Sequence, residues 1–228
     1  MLFVALILLI TPVMAVTVTI PTNGDTYIHH SGHSPYLGSQ NFDSTDGMSV
    51  MTYEALSIYS RSAVHFDLSS IPSGASITSA KLHLYLFAID VYPKDGVNEV
   101  HRITGSDWNA NILTWFNCPA FEPIPTDSKP AGTIEDVWMV WDVTPDMQAY
   151  TSGAPMFGWI IKNPDSVSDI HFVEYHTLEC TDPALRPYLE VTYTEVVPAP
   201  EFPTIALPAA LIVGMLGAVL FIQRTKEN

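Results

Sequence analysis

Strict alternation of hydrophobic and polar positions marks the middle of the chain as β-structure. In "AKLHLYLFAI", which starts at Ala80, one face carries Leu82, Leu84, Leu86 and Ala88, and the other carries His83, Tyr85, Phe87 and Ile89. The segments "SAVHFDL" and "PYLEVTYT" alternate in the same way. A period of two residues predicts strands with one face in a core and the other face near water.

Two further segments, "VWMVWDV" from Val137 and "FGWIIK" from Phe157, are apolar on both faces, which is typical of central strands. Shorter strand signals are separated by clusters of Gly, Pro, Asn, Asp and Ser; they are "VTVTI", "DTYIHH", "MSVMT", "NEVHRI" and "DIHFVEY". This spacing predicts an all-β fold, an antiparallel β-sandwich. One short helix is predicted in "TPDMQAY", with Thr144 as its cap, Pro145 in its first turn and an end at Gly153.

Both ends of the chain have the pattern of targeting segments. Residues 1–15, "MLFVALILLITPVMA", contain an apolar run followed by Pro12 and by Ala15, which predicts a secretory signal peptide cleaved after Ala15. An uncleaved anchor or a first buried strand is the alternative interpretation. The sequence therefore predicts export of the residues that follow.

Residues 204–222 carry no charge, and the tail at residues 223–228 contains Arg224 and Lys226. At 1.5 Å per residue, a helix of this length is just long enough for a bilayer core of about 30 Å. The positive-inside rule places the preceding domain, residues 16–195, outside the cell and the tail in the cytoplasm. Between them, residues 196–203 form a Pro-rich and therefore stiff linker.

The formal net charge is −15, and all of it lies between residues 16 and 200. A field of this sign repels nucleic acids and other polyanions, so we exclude DNA and RNA as partners. It favours cations and neutral partners instead.

The two cysteines of the chain, Cys118 and Cys180, fit an oxidising compartment. We expect them to form a disulfide, because exported chains seldom keep two free thiols. Two unrelated buried thiols are the alternative.

Three histidines in "HHSGH", His29, His30 and His33, suggest a metal site. His29 and His30 are adjacent in an extended segment, so their side chains point to opposite faces and cannot both bind one ion without a bulge. We therefore interpret the cluster as a surface loop, and we expect replacement of all three by Ser to leave the melting temperature unchanged.

Several segments, taken in order, resemble a known family. They are "DTYI", "YLGSQNF", "SAVHFDLSSIPSGASITSAKLHLYL", "WNANILTWFNCPAF", "WDVTPDMQAYTSG", "FGWIIK" and "DPALRPYLEVTYT". This pattern resembles the DNRLRE, or disaggregatase-related, domain, which is also classed as carbohydrate-binding module family 96. The resemblance implies a β-sandwich of jelly-roll type in secreted and cell-surface proteins, polysaccharide binding in some members, and no catalysis.

The end of the chain, "PEFPTIALPAALIVGMLGAVLFIQRTKEN", is similar to the PEF-CTERM sorting signal of archaeal surface proteins. The motif residues are Pro200, Glu201 and Phe202. The similarity implies cleavage near this motif by an archaeosortase, which would exchange the predicted transmembrane helix for another attachment to the cell surface.

Trp108 and Trp115 are candidate residues for stacking on sugar rings. Asp25 and Asp142, which match acidic positions of the family pattern, are candidate ligands for structural calcium. Tryptophans in such a loop more often plug the end of a sandwich, and Asp in turns usually bonds its own backbone.

The sequence contains no nucleophile elbow, phosphate loop or paired-His zinc motif. We therefore expect a non-enzymatic module that binds cell-surface or extracellular polysaccharide. A purely structural component of the envelope is the alternative, and a polysaccharide-degrading enzyme is a minor one.

Overall fold

The computed structural model describes residues 13–89, 96–164, 170–196, 211, 214–218 and 222–223. The chain divides into two units, Ala15–Thr194 and a second unit made of Met1–Met14 and Glu195–Asn228. In the described part, the strands are β1 (Val13–Ser31), β2 (Gly47–Tyr53), β3 (Ile58–Phe66), β4 (Ser76–Ile89), β5 (Val97–Arg102), β6 (Asp127–Pro130), β7 (Val137–Asp142), β8 (Trp159–Lys162), β9 (His171–His176) and β10 (Tyr188–Val196). The helix α1 (Thr144–Thr151) lies between β7 and β8.

The all-β, antiparallel prediction is confirmed, but the strands do not form the two separate sheets of the expected sandwich. The strands β1, β10, β4, β9, β2 and β3 are neighbours in that order, and β1 also pairs with β3, so these strands close into a ring. β8, β5 and β6 continue the sheet from β3, and β7 pairs with β4.

The ring closes because two long strands change partner along their length. The first residues of β3 pair with β2, at Ile58 and Ser60, and its later residues pair with β8, at Ser62 and Val64. β4 pairs first with β10 and then, from Leu86 onward, with β9, with a register shift between Leu86 and Ala88. Each of these strands thus pairs with different neighbours at its two ends. This connects the two sheets that the sequence pattern predicts to be separate.

The main core fills the inside of this ring. Leu82, Leu84 and Leu86 on β4 are fully buried, as their alternation predicts, and they belong to one cluster with Trp141 and Trp159. Burial of one such leucine side chain stabilises the fold by about 1.5–3 kcal/mol.

A second, smaller cluster lies on the opposite face of β3 and β8. Ala63 and Ile160 belong to it, whereas their neighbours Val64 and Ile161 belong to the main core. Since successive side chains of a strand point to opposite faces, this cluster lies outside the ring. The loop between β5 and β6 covers it with Ile103 and other apolar residues, namely Leu113, Trp108, Trp115, Cys118 and Phe121.

Helix α1 forms where the sequence predicts it, but Thr144 is not its cap. Thr144 is the first helical residue; its hydroxyl accepts a hydrogen bond from the backbone N–H of Ala80, and its own N–H donates to Asp142 Oδ1 at 3.0 Å. Asp142 therefore supplies the side-chain acceptor at the helix start that the sequence predicts for Thr144, and the Thr144 hydroxyl connects the helix to β4 instead. Gly153, with φ of 96°, follows the helix as expected.

The predicted targeting segments fall largely outside the described residues. Residues 1–12 of the predicted signal peptide and the motif Pro200, Glu201 and Phe202 are not described, whereas residues 13–15 belong to β1. In the predicted transmembrane segment, residues 211, 214–218 and 222 are helical. In the described part of the chain, no helix has both the length and the hydropathy needed to cross a membrane.

The expected disulfide is not formed, because Cys118 and Cys180 are both free thiols. Cys118 packs against the outer cluster, and burial raises the pKa of its thiol to about 11. Cys180 is buried in the turn after β9, where its carbonyl oxygen accepts a hydrogen bond from the Arg186 side chain. The two residues serve different local packing arrangements.

Candidate functional site

A row of aromatic and histidine rings follows the outward face of β4 and its neighbours. Because Leu82, Leu84 and Leu86 point into the core, the alternating residues of β4 point away from it. Rings from β7, β9 and β10 join those from β4, and all of them are partly exposed. We call this set the ring row; it consists of Tyr188, His83, Trp138, Tyr85, His176 and Phe87.

One half of the ring row is built on the pairing of β4 with β10 and β7. His83 lies flat against Tyr188, with ring centroids 4.2 Å apart and planes at 11°. Trp138 meets Tyr188 edge-on at 5.1 Å and Tyr85 edge-on at 5.3 Å. These contacts hold the four rings together, since each ring touches the next.

The other half depends on the pairing of β4 with β9. Tyr85 stacks on His176 at 5.7 Å, and His176 stacks on Phe87 at 4.3 Å. The Phe87 ring lies over Gly47 of β2, where an added Cβ atom would come within 2.9 Å of Phe87 Cζ. The bare backbone of Gly47 is therefore what lets the ring lie close to the sheet.

The protonation of His83 bears on what the ring row can bind. Burial is the main cause that lowers the pKa of His83, so its imidazole is neutral at pH 7. Lys81, Glu190 and Asp142 are register partners on adjacent strands just beyond His83. A row of rings with a polar border can pack against the apolar C–H faces of sugar rings.

A second feature is a cavity of about 670 Å³ beside the middle of β1, which we call the acidic cavity. It is lined by the carboxylates of Asp25, Asp43, Asp107 and Glu179 and by the ring of Trp108, among others. Asn109, Asn111 and His65 add polar side chains.

Asp25 is the most buried carboxylate of the acidic cavity, with 2% of its surface exposed. Its Oδ2 accepts a hydrogen bond from the backbone N–H of Leu178 at 2.9 Å, whereas its buried Oδ1 has no partner. Burial, followed by repulsion from Glu179, raises the pKa of Asp25 to about 7.

The structure brings two of the predicted site residues together, because Asp25 and Trp108 both line the acidic cavity. The indole N–H of Trp108 donates to the carbonyl of Phe157 at 2.7 Å, so only its ring is available to a ligand. Trp115 is not part of the lining. It stacks on His30 at 5.1 Å, and the Arg61 guanidinium lies 4.4 Å from the centroid of its ring.

Asp142 is also absent from the cavity lining, since it ends β7 and caps helix α1. The two candidate calcium ligands, Asp25 and Asp142, therefore do not share a site. Among the residues that the structure describes, no group of three His, Cys, Asp or Glu side chains is placed to hold a metal ion.

Sequence reasoning missed the ring row as a site. The signal was visible in part, because His83, Tyr85 and Phe87 alternate along β4. Trp138, His176 and Tyr188 come from segments 53 to 105 residues further along the chain from Tyr85 or His83, and only the strand register places them there.

Comparison with known families gives two matches. Residues 16–193 match the model of carbohydrate-binding module family 96, and residues 199–225 match the PEF-CTERM archaeal protein sorting domain. No curated protein matches the chain significantly. The two matches confirm the resemblances that the sequence motifs indicate.

Proposed function

Because the chain belongs to carbohydrate-binding module family 96, we propose that its β domain is a non-catalytic module that binds polysaccharide through the ring row. The observation that carries this proposal is the contact of six partly exposed rings in one row on an outward sheet face. His83, Tyr85 and Phe87 are two residues apart, so the row extends about 14 Å along β4. A surface of this length suits several sugar units of a polymer better than a single sugar.

The polymer that fits best is neutral. The formal net charge of −15 repels uronate-rich and other anionic chains, at long range and at low salt above all. Stacking on ring faces needs no charge on the sugar, and the neutral His83 adds none.

The PEF-CTERM sorting domain indicates a location at the cell surface. We propose that residues 1–15 direct export and that residues 204–222 hold the chain in the membrane, with residues 223–228 in the cytoplasm. An archaeosortase then cleaves near Glu201. Recovery of a native C-terminus near Glu201 by mass spectrometry supports this order of events, whereas peptides from beyond Ile222 in mature protein contradict it. The jelly-roll order of strands implied by the resemblance stays a prediction.

A glycan array tests the proposed function. The full-length chain in detergent is compared with Trp138→Ala and with Tyr36→Ala, which removes an aromatic ring that is 71% exposed outside the ring row. We expect neutral polysaccharides to retain the wild type and Tyr36→Ala but not Trp138→Ala. Repeating the array with EDTA tests calcium as a cofactor, and absence of binding in either condition favours the structural role in the envelope.

A further inference from the structure

The charged residues that line the acidic cavity are mainly acidic. Four carboxylates face it, and none of its described lining residues is Lys or Arg. The one titratable nitrogen base in the lining, His65, is already engaged: its Nδ1 lies 2.7 Å from Asn23 Oδ1, and its Nε2 lies 3.5 Å from Asp107 Oδ1. Acidic side chains alone are often no more than a solvated surface, so the lining by itself does not identify a ligand.

Asp25 supplies the second observation. Its Oδ1 is buried and has no hydrogen-bond partner, although Asp25 lines the cavity. A buried carboxylate oxygen without a partner is destabilising, and it becomes favourable when a donor or a positive charge reaches it. The raised pKa of Asp25 agrees with a carboxylate whose counter-charge is not supplied by the protein.

The size of the cavity and the positions of its carboxylates favour an organic cation over a metal ion. The side chains do not converge as they would around a metal ion, as far as the described residues extend. A volume of about 670 Å³ lies in the range of sites for small organic molecules. The Trp108 ring can pack against a cationic group or a sugar face, and Asn109 and Asn111 can bond hydroxyl groups.

We propose that the acidic cavity binds a small hydroxylated ligand that carries a protonated amine, such as an amino sugar, and that the Asp25 side chain turns on binding so that its Oδ1 accepts a hydrogen bond from the amine. Asp43 and Glu179 add the negative field that favours the cation. Neutral sugars lack the charge, and anionic ligands are repelled. This site is separate from the ring row and does not depend on polysaccharide binding there.

Isothermal titration calorimetry of the full-length chain tests the proposal. The ligands are glucosamine, glucose and N-acetylglucosamine, in an amine-free buffer at pH 7.5 after removal of metals with EDTA. Glucosamine is expected to bind, and the two uncharged sugars are expected to bind at least about tenfold more weakly, since they cannot form the charge-assisted bond. Equal binding of all three sugars, or no binding of glucosamine, would overturn the proposal.

Variants tie the binding to the cavity. Asp25→Asn removes the charge of Asp25 but keeps an oxygen that can accept the hydrogen bond from the Leu178 N–H. Asp43→Asn removes the charge of a second lining residue, which takes no part in that hydrogen bond. Both should weaken glucosamine binding, whereas Glu54→Gln, at an exposed residue outside the cavity, should not. If Asp25→Asn fails to fold, Asp43→Asn still decides the question. The proposal would also be contradicted if the wild type bound calcium but not glucosamine and these variants abolished calcium binding. That result would indicate a metal site.

Discussion

The imidazole of His83 lies flat on the phenol ring of Tyr188, and the two residues are direct register partners on β4 and β10. The distance between their ring centroids is 4.2 Å, and Trp138 meets both rings edge-on. A cross-strand pair of stacked rings stabilises both the sheet and the orientation of the two rings, because each ring covers a face of the other. The outward face of the sheet therefore presents an ordered aromatic surface.

Gly47→Ala is expected to destabilise the protein by about 1–3 kcal/mol, because the new methyl group would meet the Phe87 ring at 2.9 Å. Phe87 and its partner His176 would have to shift, so polysaccharide binding should weaken as well. Urea unfolding measures the stability change. Gly24→Ala is the control: its nearest neighbours would lie 3.8 Å away, and an unchanged midpoint is expected.

One component of the wild-type stability, the one that Asp25 contributes, should fall as the pH rises from about 4 to about 7. Asp25 has a folded-state pKa of about 7, above its ordinary value of 3.8, so the folded state binds this proton more tightly than the unfolded state. One such proton gives a slope of about 1.4 kcal/mol per pH unit within that window. Asp25→Asn should remove this component, which a comparison of urea unfolding at pH 5 and pH 7 measures. Parallel pH profiles for the two proteins would show that Asp25 does not titrate in this range.

Asp146→Ala is expected to lower the free energy of unfolding by about 3–5 kcal/mol. The buried Asp146 Oδ2 accepts hydrogen bonds from the Trp159 indole N–H at 2.8 Å and from the Thr126 hydroxyl at 2.6 Å, and Arg102 lies nearby. Its removal leaves the Trp159 and Thr126 donors without this acceptor, and it leaves the half-buried Arg102 with Glu122 as its remaining ion-pair partner. Glu122→Ala breaks only the outer ion pair of Arg102, where Glu122 is 44% exposed, so a loss below about 1 kcal/mol is expected for this control.

The three histidines of "HHSGH" should differ in their effect on stability. His30 stacks on Trp115 over the outer cluster, and its Nδ1 is buried, whereas His33 lies in the turn and bonds the carbonyl of Leu56. We expect His30→Ser to lower the melting temperature by several degrees, the shift that a loss of about 1 kcal/mol produces. His33→Ser should change it little. Equal effects of the two substitutions in a thermal scan would contradict this assignment.

These histidines also show how far sequence reasoning reached. The opposite directions of His29 and His30 follow from strand geometry and agree with the structure, where His29 bonds Ser60 and His30 faces Trp115. The interpretation of all three as a surface loop was wrong for His29 and His30, which belong to β1. The contact with Trp115 joins segments about 85 residues apart in the chain, and short-range periodicity carries no information about such contacts.

In the fold, too, the sequence predicts local features but not long-range contacts. Alternation located β4 and its buried leucines, but the closure of the ring depends on the change of partners along β3 and β4. The sequence predicts calcium binding for Asp25 and sugar stacking for Trp108, and only the fold places the two residues in one cavity. Residue type thus predicted the candidates, whereas long-range strand pairing determined which of them meet.

Affinity electrophoresis in gels that contain the neutral polysaccharide retained best on the array tests the central claim most directly. The wild type, the double variant Trp138→Ala/Tyr188→Ala and the control Tyr36→Ala are compared, with thermal scans to confirm that each protein is folded. We predict that the polysaccharide retards the wild type and the control, and that the folded double variant migrates as it does without polysaccharide. Equal retardation of the folded double variant and the wild type would contradict the assignment of the ring row as the binding surface.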